Sequence, residues 1–184
     1  MSPDDLPHAL RAFGTTPHAG AWSVRAGIRR HGVSVSVCWL VAGAVEALPL
    51  PPLAARRSRR DGLWEHTCCE AFLAPVASPR YWELDVSPAG HWNFYRFDRE
   101  REGMTTEPRL EGLAAFARAR HGARGIAITV TLDLAPIPEL STAPLDVGLA
   151  TVLAPTPGAR SYWALRHVAA VPDFHRRESF LARI

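Results

Sequence analysis

The sequence predicts an all-β fold, an antiparallel β-sandwich of about eight to ten strands with little helix. Three observations carry this expectation. Apolar residues recur at period two in one segment after another. The 16 prolines and 13 glycines suit many turns and few long helices. One window alone, 109–120, places apolar residues at helical spacing.

In chain order, Trp22, Val24, Ala26 and Ile28 alternate first, then Val33, Val35, Val37, Trp39 and Val41. Period two puts each set on one face of a half-buried strand. Segments 64–73, 80–86 and 91–97 follow as strands, divided by the turn signals at 77–79 and 87–90. In 109–120, Leu110, Leu113 and Phe116 read either as a helix or as a strand with a polar edge. Ile126, Ile128, Val130, Leu132 and Leu134 alternate with Thr129, Thr131 and Asp133 as a further strand. Segments 145–153, 161–168 and 179–183 complete the set, with the Pro/Gly turn 155–158 between the first two. The whole chain, 1–184, reads as one domain without internal repeats, its first dozen residues a loose arm. A chain of this length buries roughly 70% of its unfolded surface, so it needs neither disulfides nor a structural metal to fold.

All 21 basic residues are arginine. The absence of lysine excludes a Walker-type phosphate loop, a Schiff-base lysine and a lysine haem ligand. A net charge of +3 does not argue for nucleic acid. The run Arg56, Arg57, Arg59 and Arg60, beside the prolines of 49–52, reads as a solvated loop. Cys38, Cys68 and Cys69 are a poor disulfide framework and read as reduced, buried thiols. No apolar run approaches the ~20 residues of a membrane helix, and residues 1–13 do not resemble a signal peptide. The expectation is a soluble, cytoplasmic protein with no nucleic-acid or membrane partner.

The most informative stretch is 63–101. An antiparallel hairpin with Glu70 opposite Glu83 puts Cys69, Ala71 and Leu73 beside Trp82, Leu84 and Val86 on one face. The other face carries His66, Cys68, Glu70 and Phe72 beside Tyr81, Glu83 and Asp85. Pairing Val86 with Trp92 and Leu84 with Phe94 extends the meander and brings Asn93 near Asp85 and Tyr95 near Glu83. Trp82, Leu84, Val86, Trp92 and Phe94 then form one core against Val35, Val37 or Ile128. The second face is either open and solvated or a site for a polar small molecule. In the latter reading Glu70, Glu83 and Asp85 accept hydrogen bonds from ligand hydroxyls, Asn93 and Tyr95 orient the ligand, and Trp64 or Trp163 stacks on a ring. Arg166 is the candidate cation should the carboxylates be buried.

These same residues carry a family resemblance. Gly62-Leu63-Trp64-Glu65-His66-Thr67-Cys68-Cys69-Glu70-Ala71-Phe72-Leu73 resembles the signature of the DOMON-like, family-9-carbohydrate-module-like proteins of bacteria. So do Tyr81-Trp82-Glu83-Leu84-Asp85-Val86-Ser87-Pro88-Ala89-Gly90, Tyr95-Arg96-Phe97-Asp98 and Arg101-Glu102-Gly103-Met104. Near the end of the chain, Tyr162-Trp163-Ala164-Leu165-Arg166-His167 and Pro172-Asp173-Phe174-His175 are similar to the closing segment of that family. The resemblance implies an immunoglobulin-like or jelly-roll β-sandwich whose relatives bind sugars or haem. The chain departs from the family pattern at Cys69, where an aromatic residue is expected, and at Asp85, where asparagine is.

Other chemistries have thinner inventories. His66, Cys68 and Glu70 have no second Cys or His cluster to complete a zinc site, and no calcium loop frames Glu83, Asp85 and Asn93. The expectation is therefore a colourless protein that folds without metal or haem. The alternative, a haem-binding electron-transfer domain, would use Met104 with His167, or with His91 or His175. Glu70 and Glu83 are crudely compatible with glycoside hydrolysis, but no catalytic motif accompanies them, so an enzyme is not expected. A structural or partner-binding role is the third reading, with no partner indicated.

Overall fold

A computed structural model of the protein describes residues 2–14, 20–156 and 158–184. Its strands are β1 (His8–Ala12), β2 (Trp22–His31), β3 (Ser34–Gly43), β4 (Cys68–Pro75), β5 (Tyr81–Val86) and β6 (Trp92–Phe97). The chain continues through β7 (Thr105–Thr106), β8 (Ala115–Arg120), β9 (Gly125–Asp133), β10 (Leu145–Thr156), β11 (Ala159–Ala164) and β12 (Ala182–Arg183). The α-helix among the described residues is the single turn α1 (Pro138–Ser141). The fold is thus all-β, and among the described residues its strands pair antiparallel and number twelve rather than eight to ten. The additions, β1 and β7, are too short for alternation to announce them. The 109–120 window resolves as the strand β8, because Phe116 pairs across from Val130 at the sheet edge. Of the 155–158 turn, Pro157 lies outside the described residues.

The strands form one path, β7-β6-β5-β4-β10-β11-β1-β2-β3-β9-β8, with β12 also on β10. This sheet curls back on itself at β1. Residues His8, Ala9 and Leu10 pair with β2, while Arg11 and Ala12 pair with β11. Far from a loose arm, the N-terminal segment is the seam between the two halves of the curl. Leu6, just before it, is fully buried beside Cys38, Leu40 and Ala127.

Between the halves lies the main core. Val35, Val37, Trp39, Ile128 and Val130 meet Trp82, Leu84, Val86, Trp92 and Phe94 there, as alternation predicts. The exception is Val33, exposed in the β2–β3 turn. One charged group reaches into this core. Glu107 is 1% exposed and accepts from the indole of Trp82 (3.0 Å) and from Nε and Nη2 of Arg109 (2.9 and 2.8 Å). Burial raises its pKa, but the hydrogen bonds from Arg109 and Trp82 outweigh that and hold it down at about 2. All three cysteines are free and buried, as expected.

Among the described residues no helix is long and apolar enough to cross a membrane.

Candidate functional site

Strands β4 and β5 are buried at essentially every position, so both faces of this part of the sheet are covered. The second face carries its own apolar cluster, in which Phe72, Tyr81, Phe97, Phe174 and Phe180 take part. The closing segment of the chain lies over it. Phe180 stacks at 5.5 Å on Phe72, and His175 stands edge-on to Phe72 and Phe97. Gly148 on β10 permits this approach, since a Cβ there would sit 2.7 Å from the Phe180 ring. The solvated-face reading of Glu70, Glu83 and Asp85 therefore fails.

Pairing within the meander also differs from expectation. Glu70 lies opposite Asp85, and Glu83 opposite Phe72. The sequence reading is slipped by two residues, which leaves every side chain on its expected face. The observed register centres the β4–β5 turn on Ala77 and Ser78, where Ala77 adopts φ 62° and the Ser78 amide donates to the Pro75 carbonyl at 3.1 Å. Alanine is a poor signal for a left-handed position. The β5–β6 register is as expected, with Asp85 opposite Asn93 and Glu83 opposite Tyr95.

Three carboxyl groups thus share one buried face. Glu70 is 2% exposed, Glu83 5% and Asp85 0%. Among the described residues, no hydrogen-bond partner reaches Oε1 of Glu70 or either oxygen of Asp85. Burial pushes Asp85 up to about 8. Glu70 is raised well above the usual range by burial and then by Asp85. Glu83 is raised likewise by burial, Asp85 and Glu70. Arg166, the expected counter-ion, is exposed. The cation that acts on Glu70 and Glu83 is Arg101, whose opposing field is the smaller effect.

Glu70 and Glu83 form the floor of a cleft of about 320 Å³. Trp64, Tyr162, Phe174 and His175 wall it, and Arg101, Arg160 and Met104 line it too. Trp64 is 37% exposed and leans edge-on against Tyr95 at 5.9 Å. Arg101 sits at φ 56°, a left-handed conformation uncommon for a side-chain-bearing residue. Its amide donates to the Tyr81 hydroxyl (3.2 Å) and its guanidinium grips Asp173 at 2.7 Å. Nδ1 of His175 is 2.7 Å from the same hydroxyl. Burial, followed by the charge of Arg101, lowers His175 to about 4, so its ring is neutral near pH 7. The cleft therefore combines buried carboxyls whose pKa burial raises, aromatic faces and two guanidinium groups.

The structure divides the expected site residues. Glu70, Glu83 and Trp64 meet at the cleft, with Asp85 buried behind Glu70. Asn93 is consumed structurally. Its Oδ1 accepts from Arg59 (2.9 Å), and its Nδ2 donates to Asp61 and to the Tyr95 hydroxyl, both at 2.8 Å. Tyr95 in turn donates to Asp61 at 2.8 Å, so this pair braces the 59–61 loop instead of orienting a ligand. Arg59 is correspondingly no solvated loop residue. Its guanidinium lies 4.3 Å from the Trp92 ring centre and donates to the Glu107 and Leu110 carbonyls. Trp163 faces the main core, its indole donating to Ser161, because odd positions of β11 point inward. His66 is exposed and lines a different cavity. Met104 lines the cleft, whereas His167 lies outside it, its Nε2 2.9 Å from the Arg11 carbonyl. Arg101, Arg160, Tyr162 and Phe174 appear in the sequence only as motif positions or not at all, and His175 only there and as an alternative haem ligand. Only the closing segment's return over the sheet makes them neighbours.

No protein-family model matches the chain, and no curated protein matches it in sequence. Solved structures do match. A candidate carbohydrate-binding protein from Bacteroides uniformis is similar over 96% of this chain and 85% of that one, at 12% identity and a TM-score of 0.65. A family 9 carbohydrate-binding module from Caldicellulosiruptor kristjanssonii, in complex with cellotriose, is similar over 86% of this chain and 71% of that one (14% identity, TM-score 0.44). The same organism's family 9 module with glucose is similar over 90% and 78% (11% identity, TM-score 0.46). At these identities the likeness concerns fold. The chain shares the β-sandwich fold of the Bacteroides uniformis protein.

Proposed function

We propose that this protein is a non-catalytic carbohydrate-binding module, with its ligand in the cleft between Trp64, Tyr162 and the Glu70–Glu83 floor. The observation that carries the reading is the meeting of buried carboxyls, their pKa raised by burial, with aromatic walls in one cleft. A sugar ring offers an apolar face and a rim of hydroxyls. A neutral carboxyl both donates to and accepts from such hydroxyls, and an exposed indole covers the apolar face. A cleft of about 320 Å³ is within the range that encloses small ligands. The shared fold with the Bacteroides uniformis protein agrees with this reading. The non-catalytic part of the reading is supported by the lack of any catalytic motif around Glu70 and Glu83.

The test is calorimetric titration with a panel of mono- and disaccharides, repeated on Trp64→Ala and Glu83→Gln. Saturable binding to at least one sugar, weakened about ten-fold or more in both variants, is expected. A panel without binding, or binding indifferent to both substitutions, would remove the proposal.

A further inference from the structure

We propose that Cys68, Glu70 and Asp85 form a binding site for a thiophilic divalent cation of the zinc class. The observed register creates the cluster. Cys68 and Glu70 are two residues apart on one face of β4, and Asp85 is directly opposite Glu70 on β5. Cys68 Sγ and one carboxylate oxygen from each acid all lie within 4.8 Å of one another.

An independent observation points to a missing partner. Asp85 is 0% exposed, yet neither of its oxygens has a hydrogen bond among the described residues, and Oε1 of Glu70 has none either. Buried polar atoms are nearly always partnered, by protein, water or an ion. Cys68 Sγ makes a long contact of 3.7 Å to its neighbour's carbonyl and a hydrogen bond with the Val86 backbone. No arginine fills the gap, since Arg101, the cation acting on Glu70, is held by Asp173.

The donor set selects the ion. A thiolate disfavours magnesium and calcium, while one sulfur with two carboxylate oxygens suits zinc or its cobalt surrogate. Tetrahedral zinc with such ligands holds donor atoms about 3.3–3.6 Å apart, so the three would close by roughly 1.5 Å at most. Binding would displace the thiol proton of Cys68, and any carboxyl proton, to solvent. Because Glu70 also lines the cleft, the fourth coordination position opens towards it. The inference does not depend on the sugar reading, which is tested separately on EDTA-treated protein.

The experiment is titration of EDTA-treated, desalted protein with Co²⁺, followed by its near-ultraviolet thiolate-to-metal band. One equivalent should saturate the band in wild type. Cys68→Ser should abolish it, and the nearly isosteric Asp85→Asn should weaken affinity about ten-fold or more. Cys38→Ser, in the other half of the sheet, should keep it. Zn²⁺ should raise the melting temperature of wild type but not of Asp85→Asn, which keeps the test open should Cys68→Ser fail to fold. No thiolate band at millimolar Co²⁺ would overturn the site. So would a band of undiminished affinity in Asp85→Asn, which would assign the ion to other ligands.

Discussion

Replacing Glu107 by glutamine isolates the one carboxylate that enters the main core. Its two oxygens accept from the Trp82 indole, from the Arg109 amide (3.0 Å) and from Nε and Nη2 of the Arg109 guanidinium. In the unfolded chain this group takes up a proton near 4.5, whereas in the fold it resists protonation until about pH 2. A lowered folded-state pKa means stability that is fully present above pH 4.5 and is lost as pH falls through 2. The difference is worth about 3 kcal/mol, of which about 2 kcal/mol is gone by pH 3. Glutamine keeps the shape but carries no charge, and its amide turns a donor towards Trp82 or Arg109. Glu107→Gln should therefore lose about 2–4 kcal/mol at pH 7. The assay is urea unfolding of both proteins between pH 7 and pH 3. Near pH 7 the gap should be full, and it should narrow by about 2 kcal/mol at the acid end. A gap that stays constant across this range would refute the electrostatic argument and reduce Glu107 to a packing residue.

Other expectations follow from particular positions. Ala77→Gly relieves a left-handed alanine at φ 62° and should raise the urea midpoint, by about 0.5–1 kcal/mol in stability. Gly148→Ala drives a methyl group to within 2.7 Å of Phe180 and should cost about 1–3 kcal/mol. It should also speed hydrogen exchange and proteolysis in the 174–180 segment. Burial raises the pKa of Cys38, Cys68 and Cys69, so none should react with a thiol reagent in the metal-free native protein at pH 7, while all three react in urea.

The sequence made the sheet legible because a half-buried strand writes its period directly. Val35, Val37, Trp39, Ile128 and Val130 alternate, and they face the main core. It failed where both faces are buried. Nothing in Cys68–Pro75 distinguishes a solvated outer face from one covered by a segment a hundred residues away. Hence the sequence leaves an open, solvated face as one of its two readings, whereas Phe174, His175 and Phe180 lie over the neighbours of the carboxyls. The two-residue slip was equally invisible, since parity is all that alternation fixes. Asn93 and Tyr95 were placed on the right face, but their partners Arg59 and Asp61 come from a loop without periodicity. Arg101 reaches the cleft from a left-handed turn position, where its own side chain gives no warning.

The seam at β1 bears on how the chain acquires its structure. Arg11 pairs with Ala164, so the curl closes only when β1 meets the distant β11. The β2–β3 hairpin can form from a local stretch, but β4 must find β10 and β1 must find β11 across long sequence separations. Such non-local pairing carries a large loop-closure entropy before any contact rewards it, which places folding on the millisecond-to-second side of the range for single domains. During synthesis, β1 emerges long before β11. Until β11 arrives, β1 can pair with β2, but its Arg11–Ala12 end has no partner, and the nascent chain carries an open edge there.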